Sequence, residues 1–374
     1  MSGDAGGNAP RWVGLALLPA VNVTLAFLVA GAIVAFIGED PVEALRILTW
    51  GALGSAEAIG YTLYYATSLI FTGLAVAIAF HAGLFNIGGE GQAYIGGLGV
   101  GVVVLSLDQA LPGWVLIPLA ALGGAAMGAL WGFVPGYLQA RRGSHIVITT
   151  IMFNFIASAL MVYMMVNVLI MPGQMTPHSR EFEAAAWLPF MHDMLGAVGF
   201  EVESSPLNGA FFLALICCVG MWLLMWRTRL GYAIRVVGHN QRAALYAGID
   251  PARVIMLAMA ISGALAGLVA VNTALGVTHR LLLDFTEGFG FTGIAVALMG
   301  RNHPVGIVLA ALLFGVLYQG GAELAFDMPK ITRDMIVVII GLVILFSGAL
   351  DRMLQPTLER LFTRRAPVAS EDAG

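Results

Sequence analysis

The stretch Phe85-Asn-Ile-Gly-Gly-Glu-Gly-Gln92 sets one acid, two amides and three glycines between the apolar runs 59–81 and 93–107. Those runs decide the fold class. The 374-residue chain is 59% hydrophobic and 11% charged, against about 25% charged in an average soluble domain. Val13–Ile37 and Gly209–Trp226 carry no charged residue, and apolar runs of about 18 residues or more are long enough to cross a bilayer. The chain therefore reads as an all-α polytopic membrane protein. A net charge of −4 gives no reason to expect nucleic acid.

Apolar periodicity predicts ten spans, at 12–37, 59–81, 93–107, 112–138, 146–170, 209–226, 253–275, 288–300, 304–321 and 333–350. The first is too long for a cleaved signal core and is expected to remain in the chain. The third and eighth are too short to cross about 30 Å of hydrocarbon as straight helices. With the N-terminus inside, Arg11, Arg141, Arg142, Arg227, Arg229, Arg235, Arg242, Arg253, Arg301, Arg352, Arg360, Arg364 and Arg365 fall on inner segments. Arg46, Arg180, Arg280, Lys330 and Arg333 fall outside, and Glu181, Glu183, Asp193, Glu201 and Glu203 share one outer loop, 171–208. Positive-inside asymmetry then places both termini in the cytoplasm. The expected organisation is one membrane domain over 1–350, with an inner basic loop at 227–252, and a polar cytoplasmic tail at 351–374.

Spans 2–5 and 7–10 have opposite orientations, so the short, glycine-rich third and eighth spans correspond. Paired interrupted segments in two inverted halves point to a transporter's solute path. In that setting Gly88, Gly89 and Gly91 permit an unwound backbone, which survives at membrane depth only against protein or a water-filled cavity. Glu90 is then expected to face the interior, with Asn86 and Gln92 offering donors and acceptors to a polar solute. The competing reading is a cytoplasmic turn with Glu90 solvated. The matching stretch, Phe285-Thr-Glu-Gly-Phe-Gly-Phe-Thr292, brings Phe289, Phe291 and Thr292. Its rings suit stacking on a flat base, or ordinary packing.

The inner loop Gly231–Asp250 predicts a short helix over 241–248, with Asn240 as N-cap and Gly248 as stop. Ala243, Ala244 and Ala247 allow close docking, and Arg235 and Arg242 supply charge, which equally serves as a topology signal. Cys217 and Cys218 are adjacent in an apolar run and read as packing residues. No zinc-type Cys/His spacing, no G-x-x-x-x-G-K-[ST] loop, and no H-E-x-x-H or G-x-S-x-G motif is present. Catalysis is not expected, and energy must come from a partner or an ion gradient.

Over residues 15–350 the chain resembles permease subunits of bacterial ABC importers, in the ribose/branched-chain amino acid superfamily and its nucleoside branch. FNIGGEGQ at 85–92, GSHIVITTIMFNFIA at 143–157 with Asn154, GYAIRVVGHNQRAALYAGI at 231–249, and SGALAGLVA at 262–270 followed by GFGFTGIAVALMGRNHPVG at 288–306 carry the likeness. It departs from the family pattern at Ile146, where the branch usually has Glu, and at Arg242, where the wider coupling loop has Glu before its paired alanines. The resemblance implies a ten-span, type II importer-like fold in the inner membrane and a dimer of permease chains, often of two kinds. It also implies an extracytoplasmic solute-binding protein, docking against 171–208, and a separate cytoplasmic ATPase that binds ATP and magnesium. Asn86, Glu90, Gln92, Asn154, Phe289, Phe291 and Thr292 become pathway candidates. Arg235, Gly238, Asn240, Arg242, Ala243, Ala244 and Gly248 become candidates for ATPase coupling. A simple sugar, a branched-chain amino acid and an ion-coupled mechanism are the alternatives.

Overall fold

Helix formation follows the apolar runs. The computed structural model describes residues 17–171, 173–332, 335–342 and 345. Its bounded α-helices are α1 (Leu18–Ile37), α2 (Pro41–Leu53), α3 (Ala56–His81), α4 (Gly89–Leu107), α5 (Gly113–Arg142), α6 (Ile146–Asn167), α7 (Met191–Gly196), α8 (Ala210–Arg227), α9 (Arg229–His239), α10 (Gln241–Tyr246), α11 (Pro251–Gly267), α12 (Phe289–Met299) and α13 (Pro304–Asp327). Among the described residues, seven helical runs are long and apolar enough to cross a membrane, α11 together with its continuation through Thr278 counting as one. They coincide with the expected second to seventh and ninth spans. The expected eighth span is α12, only 11 residues long. Of the expected tenth span, residues 335–342 are helical; half of that span, the tail 351–374 and residues 12–16 of the first span lie outside the described residues.

Two elements depart from expectation. The third span, expected to be too short to cross, is α4, whose helix begins at Gly89 and at 19 residues is long enough. The first run does not end in a plain loop: after Gly38, at φ +89°, the chain turns by 120° into α2. Ala44, Leu48 and Ala52 are buried while Glu43 is half-buried and Arg46 exposed. A three-residue apolar stripe, spaced by four along one helix face, has this effect, and its flanking charges masked it as a loop. If the bent pair is one span, the number of crossing candidates among the described residues rises to eight.

Residues 48–320 form one compact unit, and the described residues before 48 and after 320 form a second, which carries the Lys330–Glu39 ion pair at 3.0 Å. In the larger unit the seam between α4, α5 and α11 is built from glycine. A Cβ on Gly128 would strike the Gly263 carbonyl, one on Gly96 would strike Gly267, and one on Gly124 would lie 3.0 Å from Gly267 O. Small residues in register let membrane helices approach backbone to backbone.

Helix α3 is the axis of this unit. Helix α11 runs antiparallel to it: Asn272 Nδ2 donates to Tyr64 O and Ser68 Oγ at 3.1 and 2.9 Å, and Ser262 Oγ to Ala75 O at 2.6 Å. Beyond Gly267 the α11 run widens into a π-helix over Val271–Thr278. The chain then doubles back along α4, Leu281 resting where Gly101 lacks a side chain and Phe285 where Gly97 does. It starts α12 beside Gly89. Helix α12 follows α3 in parallel, Gly293 on Thr72 and Val296 on Gly73.

The segment 171–208 is strapped across this return. Ser179 N donates to Leu281 O, Phe182 N to His279 O and Leu188 N to Leu275 O, at 3.1, 2.7 and 3.0 Å. Arg180 reaches Asp108, at the last turn of α4, through both guanidinium nitrogens at 2.8 and 2.7 Å.

Candidate functional site

The two glycine-rich stretches paired by their sequence meet in space, start to start. A Cβ on Gly290 would strike the backbone of Glu90, so only glycine lets the first turns of α4 and α12 touch. The level of contact follows from α3. Thr72, against which Gly293 packs, is 16 residues into α3 and 9 from its end. At about 1.5 Å per residue this is roughly 24 Å and 14 Å from the two ends. Both helix starts therefore lie inside the span of α3, not at its margins.

Glu90 occupies the junction. It is 6% exposed. Its Oε1 accepts from Thr286 Oγ1 at 2.5 Å and its Oε2 from Gly290 N at 2.8 Å. A helix start carries unpaired N–H groups and a positive dipole end, and here two such ends face one carboxylate. That is how an acid is held in apolar surroundings, and it removes the reading of Glu90 as a solvated turn residue.

The amides are already paired within the protein. Asn86 Nδ2 donates to Gln92 Oε1 at 3.0 Å and Ser262 Oγ at 2.9 Å, while its Oδ1 accepts from Gly88 N at 2.8 Å and Gln92 Nε2 at 3.3 Å. Asn154 Oδ1 accepts from Gly91 N, and its Nδ2 donates to Ile87 O, both at 2.9 Å. All three amides are buried. Their groups are turned on one another and on the backbone 87–91 where α4 begins, whose first N–H groups have no helical acceptor. In this structure Asn86, Gln92 and Asn154 hold the shape of the site.

The aromatic side is split. Phe289 is fully buried against Tyr65 and Tyr318, with ring centroids 6.4 and 5.9 Å away. Phe291 is 49% exposed and lies outside this cluster. Thr292 Oγ1 and Tyr318 Oη are 3.0 Å apart, and Tyr65 and Tyr318 stack at 5.5 Å with 24° between planes.

The basic segment forms the second candidate region. Asn240 Oδ1 accepts from Arg242 N and Ala243 N at 2.9 and 3.1 Å, which caps α10. Gly248, at φ +75°, ends it, and Asp250 then caps α11. Ala244 is buried and Ala243 and Arg242 are exposed, with Arg235 half-buried. Gly238 sits on the His81 carbonyl at the end of α3, and His81 Nε2 lies 3.0 Å from Asn302 O beyond α12. The corner between α9 and α10 is thus joined directly to the end of α3 and, through His81, to the end of α12. Leu245 and Tyr246, 62% and 95% exposed, project from α10.

A family profile described as "branched-chain amino acid transport system / permease component" matches residues 58–348. The chain belongs to this permease family. The permease is 37% identical to the guanosine ABC transporter permease protein NupP of Bacillus subtilis, over 89% of its own length and 93% of that protein. It is 35% identical to the nucleoside ABC transporter permease protein NupB of Lactococcus lactis, over 96% and 97%. It is 32% identical to the glucose ABC transporter permease protein TsgB13 of Haloferax volcanii, over 98% and 95%.

Sequence reading alone had not singled out Ser262, Thr286, Tyr65, Tyr318, Leu245 or Tyr246 in this permease. Thr286 lies inside the quoted 285–292 stretch, and Ser262 is a lone hydroxyl in an apolar run, so both carried a signal. The tyrosines carried none, because their relevance comes from a neighbour more than 200 residues away.

Proposed function

We propose that the chain is the membrane-spanning subunit of an ATP-driven importer that moves nucleosides. The observation that carries this is the mid-span meeting of α4 and α12, an arrangement that transporters use to line a solute path, in a chain akin to guanosine and nucleoside permeases over nearly its whole length. The chain is an integral membrane protein and a transport subunit. It acts beside a solute-binding protein, a second permease chain and an ATPase, which binds ATP and magnesium and does the hydrolysis. The second permease is of a different kind, giving a heterodimer, and both termini face the cytoplasm in the inner membrane. The 171–208 segment receives the binding protein. Helix α10 meets the ATPase through Arg242, Leu245 and Tyr246, and passes motion to α3 and α12 through Gly238 and His81.

Uptake of labelled inosine and labelled ribose by cells with and without this chain, its neighbouring genes intact, tests the reading. Loss of inosine uptake alone supports it. Loss of ribose uptake alone favours the second reading, a simple sugar, to which the likeness to a glucose permease lends weight. Gly248→Pro or Arg242→Glu is expected to leave ATP hydrolysis running without transport, measured on the purified complex. Normal coupling in both variants would remove α10 from this role.

A further inference from the structure

The face of the larger unit beside the start of α12 is unusual for a membrane-spanning surface. Tyr65 on α3 and Tyr318 on α13 lie half-buried with their rings nearly parallel, and Phe289 closes the floor beneath them. The Thr292 and Tyr318 hydroxyls, 3.0 Å apart, sit at the edge of this stack. Asp284 and Glu287 are exposed just before α12, and Glu287 is within electrostatic reach of Tyr64 and Tyr318. This lies near the level of Glu90 and Gly290, well inside the length of α3. Exposed carboxylates at that depth are too costly to face lipid and mark water-filled cavities or protein contacts. Tyr65 and Tyr318, half-buried, keep part of their rings accessible on this same face.

We infer that Tyr65 and Tyr318, supported from below by Phe289, form a base-stacking station on the solute path, with the Thr292–Tyr318 hydroxyl pair hydrogen-bonding the sugar. The inference rests on the nucleoside reading above. The chemistry fits one class of occupant. Aromatic faces hold any base without base-specific hydrogen bonds, and paired hydroxyls exchange donor and acceptor roles with a ribose. A solute without a flat ring gains only the hydroxyl contacts. Selection among nucleosides is then weak at this station, and discrimination between nucleosides and free sugars is strong.

The test uses the complete transporter in cells, with uptake of labelled inosine and labelled ribose measured for Tyr65→Ala, Tyr318→Ala, Tyr65→Phe and Tyr318→Trp. Assembly is read by co-purification of the other subunits. The alanine variants are expected to assemble and to lose inosine uptake by about tenfold or more, the scale of one lost stacking contact. Tyr65→Phe, which keeps the ring, is expected to recover most of it, which a merely structural role for the tyrosine hydroxyl would not allow; Tyr318→Trp keeps a ring but loses the sugar-bonding hydroxyl, and is expected to recover only part. Inosine uptake unchanged in both alanine variants overturns the station. So does uptake lost equally in the alanine and aromatic variants. An unmutated transporter that carries ribose and not inosine instead overturns the nucleoside reading itself. Should an alanine variant fail to assemble, Tyr65→Leu and Tyr318→Leu fill the space without a ring, and normal inosine uptake there is equally fatal to the inference.

Discussion

Helix α4 carries a buried carboxylate at each end, and the two are held by different means. Glu90 stands at its start, where the helix dipole favours an anion, and it needs only Thr286 Oγ1 and the Gly290 N–H from a second helix start. Asp108 stands at its finish, where the dipole opposes an anion. Its side chain is 1% exposed, and it takes a full guanidinium, Arg180, together with the Glu183 N–H at 3.1 Å. Burial pushes the Asp108 carboxyl up, but the Arg180 and Glu183 hydrogen bonds and the Arg180 charge outweigh it and hold the group below the usual carboxylate range. The bond to Asp108 raises Arg180 in turn. A junction made of dipoles and one hydroxyl can separate without stranding a bare cation. An ion pair cannot. The dipole-held end suits a part that moves during transport, and the ion-paired end suits a fixed strap.

The sharpest way to break this contrast is Glu90→Leu, which leaves two donors unpartnered in the interior. Each costs about 1–3 kcal/mol, so a loss of about 4 kcal/mol in unfolding free energy and near-complete loss of uptake are expected. Glu90→Gln keeps one acceptor and should lose about 1 kcal/mol. Equal melting temperatures for the two variants would mean that the carboxylate geometry is incidental.

Arg180→Met is next. It leaves Asp108 buried with one N–H partner, at a cost of about 3 kcal/mol. The double variant Asp108→Asn with Arg180→Met should recover most of that loss, read as a coupling energy in a double-mutant cycle. Additive losses would place Arg180's contribution in its bond to Leu105 O instead.

Acid provides a third, smaller separation. A depressed folded-state pKa gives stability that is present above the unfolded value, about 3.9, and lost as pH falls through the lowered one. The solubilised transporter should therefore lose stability below about pH 4, and Asp108→Asn should flatten that part of the profile. The smallest effect is expected for Ser262→Ala. It removes the Asn86 and Ala75 contacts for about 1 kcal/mol, read as a small drop in melting temperature with the 171–208 strap still resistant to protease.

Much of this was legible in the chain because the signals are local. Apolar runs located the seven long helical runs, glycine clusters located the two helix starts, and Asn240 and Gly248 bounded α10 through cap chemistry that needs only a few neighbouring residues. Helix α2 escaped because its stripe of Ala44, Leu48 and Ala52 is short and interleaved with Glu43 and Arg46. The amides at 86, 92 and 154 looked like solute ligands because a sequence shows what a side chain can bond, not what already bonds it. Residue types and their periodicity set the membrane class, the interrupted segments and the presence of an interior acid, since burial of a charge and relaxation of a helix are costs each residue carries wherever it lies. Which groups satisfy that acid, and that Tyr65 and Tyr318 stack over Phe289, was decided only by tertiary structure. Those contacts join α3, α12 and α13, and their distances depend on glycine-to-glycine approaches that no single segment can specify alone.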